Sequence, residues 1–184
     1  MVLFSSECYK QLMADKDKPM KDEYVKILAR AKKNKDLNKK FVIALSKKKV
    51  PKLDRIVQAI HAEVFPGIDC LQCGSCCRSL GPLFTTPDIV RISSHLRMKE
   101  SAFVKEYLIV DEDEDFIFRS MPCPFLEDDD QCRIYDKRPR ACVQYPHTDE
   151  KNIKLHKLAE NALHCPAALL ILEKLKEQFP SMVK

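Results

Sequence analysis

The sequence predicts a mainly α-helical protein with one small β-hairpin, in which helices flank an irregular cysteine-rich core. Two observations lead to this fold class. Several stretches repeat apolar residues every three or four positions, the spacing of amphipathic helices, and eight of the nine cysteines lie between residues 70 and 165. A chain of 184 residues can bury a hydrophobic core without cross-links, so its size alone does not explain the cysteines.

Amphipathic helices are predicted in the N-terminal third of the chain. The first spans residues 22–33, and the second follows Pro51 and stops at Pro66 and Gly67. The apolar face of the first consists of Tyr24, Ile27, Leu28 and Ala31. The apolar face of the second consists of Leu53, Ile56, Val57, Ile60 and Val64.

Two more helices are predicted directly after the first cysteine-rich stretch. In TTPDIVRISSHL, we expect Thr86 to be the N-cap and Pro87 the first helical residue, with Asp88 favoured by the positive end of the helix. In SAFVKEYL, we expect Ser101 to open the helix. Threonine, serine and proline are common at these positions because they satisfy or avoid the unpaired N–H groups of the first turn.

A hairpin and a pair of helices complete the prediction. LIVDEDEDFIFRS has apolar residues on both sides of an acidic turn, which is typical of a short β-hairpin. From residue 152 to residue 179 the helical spacing returns, interrupted at Cys165, after which Pro166 starts a new helix.

The distribution of charge divides the chain in two. Residues 1–66 contain 16 Lys and Arg against 8 Asp and Glu, whereas residues 67–184 contain 16 against 19. We therefore expect a basic helical extension over 1–66 and a cysteine-cluster domain with C-terminal helices over 67–184. Nine lysines lie in residues 31–52. Such a run can bind nucleic acid or anionic lipid, but aromatic residues and arginines are almost absent from it, which favours a solvated helix face and makes a nucleic-acid partner unexpected.

No membrane association is predicted. The apolar run at 166–172 is far shorter than the ~20 residues that cross a bilayer. The N-terminal stretch MVLFSSECYKQLM is interrupted by Glu7 and Lys10, unlike a secretory signal. We expect the protein to be cytoplasmic.

The clustered cysteines are predicted to bind metal. Thiols stay reduced in the cytoplasm, so a dense set of them favours a metal site over a disulfide framework. The isolated Cys8 is expected to be inert. The predicted ligands are Cys70, Cys73, Cys76, Cys77, Cys123, Cys132, Cys142 and Cys165. Four thiolates per centre is the usual number, so eight can serve two centres or one centre with spare thiols.

The spacing of the first four cysteines favours an iron–sulfur cluster, with [4Fe-4S] as the first choice. CLQCGSCC contains a Cys-x2-Cys-x2-Cys run, which wraps a loop around an inorganic core. The adjacent Cys76 and Cys77 cannot easily bind one atom together, which points to a polynuclear centre. Zn²⁺ is the alternative, because paired zinc ions can share thiolates, although a zinc ribbon would show two separated Cys-x2-Cys pairs.

Cationic and aromatic side chains are expected around this centre. The cations that neighbour the cysteines should balance the charge of the thiolates and donate hydrogen bonds to sulfur. They are Arg78, Arg133, Lys137, Arg138 and Arg140. Tyr135 and Tyr145 are expected to pack around the metal loop, and His147 and His164 are not expected to be ligands, since eight thiols are present.

The segments CLQCGSCC, PCPFL and CRIYDKRPRACVQYP, followed by Cys165-Pro166, together resemble the YkgJ-type CxxCxxCC cysteine-cluster family over residues 69–166. Members of this family are described as zinc- or iron-chelating and often as iron–sulfur proteins. The resemblance implies a bacterial, cytoplasmic metal-binding module whose biochemical role is mostly undefined. Our own expectation is a structural, redox or metal-handling role, with a protein as a further partner.

In some relatives a similar cluster accompanies lysine methylation of flagellin, so the alternative is a metal-dependent protein-modifying enzyme, a methyltransferase-associated module. The chain has no obvious room for a separate methyl-donor domain and no glycine-rich cofactor loop. These two features favour the metal-binding module over the enzyme.

Overall fold

The computed structural model describes residues 20–183. These residues are mostly helical and include one two-stranded antiparallel sheet, which confirms the predicted fold class. Two expectations, an inert Cys8 and the lack of a secretory signal at the N-terminus, lie outside the described residues.

The predicted helices and the hairpin are present in the predicted order, together with three helices whose bounds were not predicted, over residues 35–47, 75–79 and 140–144. The α-helices are α1 Asp22–Lys33, α2 Lys35–Lys47, α3 Leu53–Val64, α4 Ser75–Ser79, α5 Thr86–His95, α6 Glu100–Tyr107, α7 Arg140–Gln144, α8 Leu155–Asn161 and α9 Pro166–Gln178. The strands are β1 Leu108–Val110 and β2 Phe116–Phe118. Short 3-10 turns cover Phe65–Gly67, Cys70–Gln72, Tyr135–Lys137 and Pro180–Met182.

The described residues contain two hydrophobic clusters, which we call core 1 and core 2. Core 1 is formed by α9, which packs against α1, α3 and α8, and by α2, which packs against α8. Its largest fully buried side chain is Phe41. The four apolar residues that the spacing assigned to one face of α1 are all buried, as expected for an amphipathic helix.

Core 2 joins α5, α6 and the hairpin. Leu108 is paired with Phe118 in the antiparallel register, and both side chains are buried. The Phe84 and Phe118 rings meet edge to face with 4.8 Å between their centroids, and Phe125 packs against Phe118 at 5.8 Å. Buried aromatic pairs of this kind stabilise a small cluster beyond the area that they bury.

Two helix starts differ from the prediction. Thr85, and not Thr86, is the N-cap of α5, because it forms a reciprocal capping box with Asp88. Pro87 is consequently the second helical residue. Glu100, and not Ser101, begins α6. Both shifts are one residue, within the usual variation of helix ends.

The N-terminal helices share core 1 with the C-terminal helices. An exposed ion pair links α1 to α9, with the Arg30 guanidinium donating to both oxygens of Glu173 at 2.7 and 2.8 Å. The division of the chain at residue 66 stays a prediction.

All nine lysines of residues 31–52 are exposed. Within residues 20–183, every helix is too short or too polar to cross a membrane.

Candidate metal centre

Four segments of the chain carry the eight cysteines that were predicted as ligands, and all eight are free thiols. The first segment runs from Cys70, in a 3-10 turn, to Cys77 in α4. The second is the irregular stretch between β2 and the Tyr135–Lys137 turn, which contains Cys123 and Cys132. Cys142 lies in α7, and Cys165 is the N-cap of α9.

Gly74 shapes the first segment. It has a φ of +55° and is buried, and an added Cβ would lie 2.5 Å from Arg78 Nη1 and 2.6 Å from Asp130 Oδ1. Only glycine adopts this conformation at low cost and leaves space for both side chains. The turn therefore brings the ion pair of Arg78 and Asp130 against the cysteine loop.

Backbone hydrogen bonds fix the second segment on the first. The N–H of Cys123 donates to the carbonyl of Cys77 at 2.8 Å. The N–H of Leu126 then donates to the carbonyl of Cys123 at 3.0 Å, and Leu126 forms an antiparallel bridge with Cys132. Cys77, Cys123 and Cys132 are thus connected through the backbone.

Cys142 is positioned by a contact at the start of its helix. The N–H of Arg140 donates to Asp88 Oδ1 at 3.0 Å, and Asp88 also pairs with Arg91 at 2.6 Å. The Asp88 side chain is buried. Helix α7 is thereby attached to the N-terminus of α5.

Cys165 is held at the junction of α8 and α9. Its N–H donates to the carbonyl of Asn161 at 2.8 Å, and Pro166 begins the following helix. Nearby, the hydroxyl of Tyr145 donates to the same carbonyl of Asn161 at 3.4 Å. Burial raises the pKa of Tyr145, and the charges of Cys165, Cys76 and Cys73 add to that rise.

Burial raises the pKa of most of the thiols. The pKa rises to about 11 at Cys73 and to about 12 at Cys123, Cys142 and Cys165. Neighbouring thiolates contribute to the rise, because each negative charge disfavours the next. A cation bound among the thiols would offset these charges, which is the electrostatic reason why such a set suits a metal.

Backbone N–H groups oppose the effect of burial at several sulfurs. Burial raises the pKa of Cys73, and a hydrogen bond from the N–H of Ser75 opposes the rise. The N–H of Ile134 does the same at Cys132. Each donor is two residues after its cysteine, and hydrogen bonds of this kind stabilise thiolate ligands in metal sites.

Cys76 and Cys77 behave as a pair. Their sulfurs are 4.0 Å apart. A hydrogen bond from the Cys76 thiol lowers the pKa of Cys77, and the charges of Arg78 and Arg138 add to this effect. The same hydrogen bond raises the pKa of Cys76. A single negative charge on this pair is therefore favoured over two, because each charge disfavours the other.

Arg138 supplies a positive charge and two unused hydrogen-bond donors. Its guanidinium lies over the ring of Tyr135, 3.7 Å from the ring centroid. Burial raises the pKa of Cys70, Cys132 and Cys142, and the charge of Arg138 opposes that rise. Among residues 20–183, its buried Nε and Nη1 have no hydrogen-bond partner. An unsatisfied buried donor costs about 1–3 kcal/mol, so these N–H groups suit a negatively charged acceptor such as thiolate sulfur.

The other predicted cations and the histidines have different neighbours. Arg133 lies over the ring of Phe125, with the guanidinium carbon 5.4 Å from the centroid, and is 3.8 Å from Glu127. Nδ1 of His147 is 3.1 Å from Glu150 Oε1, and Nδ1 of His164 is 2.8 Å from Ser79 Oγ.

Asp130 was not identified from the sequence. The acidic stretch 127–130 resembles a solvated turn, yet the Asp130 side chain is only 1% exposed. The backbone of Asp130 has a φ of +70°. Its charge contributes to the raised pKa of Cys73, after burial and the nearer thiolates. Asp130 is one of four consecutive acids, and nothing in this stretch of sequence distinguishes it from the other three.

The donor set fits a soft, thiolate-bound metal, as judged by its chemistry. It offers eight reduced sulfurs, N–H donors to sulfur, and the two free donors of Arg138. Within the described residues, no three His, Cys, Asp or Glu side chains already stand where they could hold one metal ion. The fold brings the thiol-bearing segments together. The sulfurs would take up a ligating arrangement only when a metal binds.

A family model matches residues 69–166, and its description is CxxCxxCC, "putative zinc- or iron-chelating domain". No curated protein and no solved structure matches the chain. The matched region contains all eight clustered cysteines and covers more than half of the 184 residues. The chain therefore belongs to the CxxCxxCC family of zinc- or iron-chelating domains.

Proposed function

We propose that the protein is a cytoplasmic metal-binding module that holds an iron–sulfur centre through its clustered cysteines. The observation that carries this proposal is a set of eight free thiols in four segments, two of which are joined by the backbone hydrogen bond from Cys123 to Cys77. The proposed ligands are Cys70, Cys73, Cys76, Cys77, Cys123, Cys132, Cys142 and Cys165. Free thiols in this number suit a reducing compartment.

A structural role has the best support among the roles of such a module. The stretch from β2 to α7 contains only short turns, and two of its cysteines pack against core 2. Ligand bonds to residues so far apart in sequence would close long loops and so stabilise the fold. An iron–sulfur centre would be able to transfer electrons when bound. A redox role can therefore be tested on the same purified protein.

A protein-modifying enzyme has weaker support. A surface cavity of about 410 Å³ is lined by Ser75, Arg78 and His164, which neighbour the cysteines in sequence. Ligand sites usually have volumes of about 300–1,000 Å³ and enclose most of the ligand. The walls of this cavity include the exposed Lys32 and Lys35, so it resembles an open depression more than an enclosed cofactor site.

The test is purification without oxygen, followed by measurement of iron, acid-labile sulfide and zinc per chain, with the visible spectrum. Iron and sulfide in equal amounts, with charge-transfer absorption, are expected. Stoichiometric zinc without sulfide would replace the iron–sulfur centre by zinc-thiolate sites. A wild-type protein that binds neither metal would contradict metal binding altogether. Cys8→Ser is the control variant, since Cys8 lies outside the matched region.

A further inference from the structure

We infer that the eight cysteines form two four-thiol metal sites, an inference that rests on the proposed metal binding. Site A consists of Cys70, Cys73, Cys76 and Cys165. Site B consists of Cys77, Cys123, Cys132 and Cys142. The two sites meet at the adjacent residues Cys76 and Cys77, whose sulfurs are 4.0 Å apart.

The hydrophobic cores separate the two sites. Cys73 is a buried member of core 1, and Cys165 packs against the same core. Cys123 and Cys132 pack against core 2. Each of these two pairs is therefore attached to a different core.

The backbone holds three members of site B together. Cys123 donates to the carbonyl of Cys77, and Leu126 connects Cys123 to Cys132 through a hydrogen bond and an antiparallel bridge. Cys142 is brought to this group from outside by the bond between Asp88 and the N–H of Arg140. Site B is thus built on α5 and the stretch after the hairpin.

Site A is built on the helices of core 1. The N–H of Cys73 donates to the carbonyl of Cys70 at 3.2 Å. Cys165 caps α9, and Ala168 and Leu169 of that helix lie in the same core as Cys73. The first cysteine loop and the start of α9 therefore approach one another through core 1.

The distance between the sulfurs of Cys76 and Cys77 does not by itself assign them to different metals. Two thiolates on one tetrahedral zinc ion are about 3.8 Å apart, close to the 4.0 Å observed. The backbone decides the assignment of Cys77, whose carbonyl accepts a hydrogen bond from the N–H of Cys123. Cys76 is then the fourth thiol of site A, since Cys77, Cys123, Cys132 and Cys142 complete site B.

The experiment compares the metal content of one variant from each site. Cys165→Ala removes a ligand of site A, and Cys142→Ala removes a ligand of site B; alanine cannot bind metal. Iron, sulfide and zinc are measured per chain after purification without oxygen, with Cys8→Ser as control. Each site variant is expected to retain about half of the wild-type metal, and the double variant almost none, because each centre needs its own four thiolates.

A folded single variant that loses all of its metal would overturn the division and leave the proposed metal binding intact. A wild-type chain without metal would instead overturn the proposed function. Titration of metal-free wild-type protein with Co²⁺ provides a second test that does not depend on a variant folding. Saturation at about two ions per chain is expected if each ion takes four thiolates, and saturation at one ion would contradict the two sites.

Discussion

The buried carboxylate of Asp88 accepts a hydrogen bond from the backbone N–H of Arg140, with 3.0 Å between Oδ1 and N. The same carboxylate closes the capping box of α5, where Oδ2 accepts from the N–H of Thr85 at 3.0 Å. One side chain thus fixes the start of α5 and the start of α7, the helix that contains Cys142.

The substitution Asp88→Asn should destabilise the fold. The asparagine side chain would keep the size of the aspartate but lose the charge that Arg91 and the two N–H groups face. The free energy of unfolding should fall by about 1–3 kcal/mol, since a cap and a charge-assisted hydrogen bond are weakened together. Urea unfolding of the metal-free protein measures this loss.

The matched control is Asp36→Asn. Asp36 is also an acid in the first turn of a helix, α2, but its side chain is exposed. Its replacement should change the free energy of unfolding by less than about 0.5 kcal/mol, as is usual for surface positions. Equal losses at the two positions would show that the bond to Arg140 contributes nothing specific.

The contribution of Asp88 should also depend on pH. Burial alone would raise the pKa of Asp88, but hydrogen bonds from Thr85, Arg91 and Arg140 outweigh it and lower the pKa. A carboxyl whose pKa is lower in the folded state stabilises the protein above its unfolded pKa, about 3.9. That stability is lost as the pH falls through the folded pKa.

The measurement is the difference in unfolding free energy between the wild type and Asp88→Asn, both free of metal, from pH 7 to pH 2. The difference should be constant in the upper part of this range and decrease below about pH 4, where the unfolded carboxyl becomes protonated. A difference that grows as the pH falls would contradict the lowered pKa.

The helices were predictable because their residues interact locally. The spacing of Tyr24, Ile27, Leu28 and Ala31 follows the helical period, and these side chains are buried on one face. The spacing does not specify which element covers that face. That α1 packs on α9 depends on contacts between residues at opposite ends of the chain.

The surroundings of the cysteines were harder to predict for the same reason. The burial of Asp130 depends on Arg78, which lies in another segment, so its own neighbours in sequence indicated a solvated turn. Thr85 and Thr86 are both suitable N-caps, and only the geometry of Asp88 selects Thr85. The candidate ligands, by contrast, were visible because thiols at close spacing have few alternative explanations.

Gly74→Ala should disturb the first cysteine loop. Alanine in the left-handed conformation costs about 1–2 kcal/mol, and its Cβ would also displace the ion pair of Arg78 and Asp130. We expect a loss of stability larger than the conformational cost alone, together with a lower metal content. Unfolding in urea and metal analysis measure the two effects.

Gly67→Ala provides the comparison for this substitution. A Cβ at Gly67 would have no neighbour within 4 Å, and its φ is not among the positive values. The metal content of the Gly67→Ala variant should equal that of the wild type. A similar loss of metal in both variants would mean that the close approach at Gly74 is unimportant.

The lysines of residues 31–52 should contribute only weak binding to nucleic acid. All nine are exposed, a state that fits both a solvated surface and a binding surface. Phosphate contacts release counterions, so a real site with 6–10 contacts would lose about 10³–10⁵ in affinity between 50 and 200 mM salt. We expect weak binding to duplex DNA that changes little over this range; a steep dependence, abolished by replacing Lys39 and Lys40 with glutamine, would contradict this expectation.

Removal of metal should loosen the cysteine-bearing segments more than core 1. The regular structure in residues 119–147 consists of one 3-10 turn, Tyr135–Lys137, and the five-residue helix α7. Few hydrogen bonds of regular structure therefore hold these residues. If ligand bonds close the long loops between the segments, chelation returns the entropy of loop closure to the chain. Amide hydrogen exchange should therefore rise in residues 119–147 and in the loop from Cys70 to Cys77.

Helices α3 and α9 should keep most of their protection in the same experiment. Their contact buries Val57, Ile60 and Leu172 in core 1 without any ligand, and buried apolar contacts of this kind set the slowest exchange in a protein. If exchange in residues 119–147 is unchanged after chelation, the fold forms before the site and does not depend on it. The thiols would then be better explained as a store from which metal can be transferred, because loading and release would leave the fold intact.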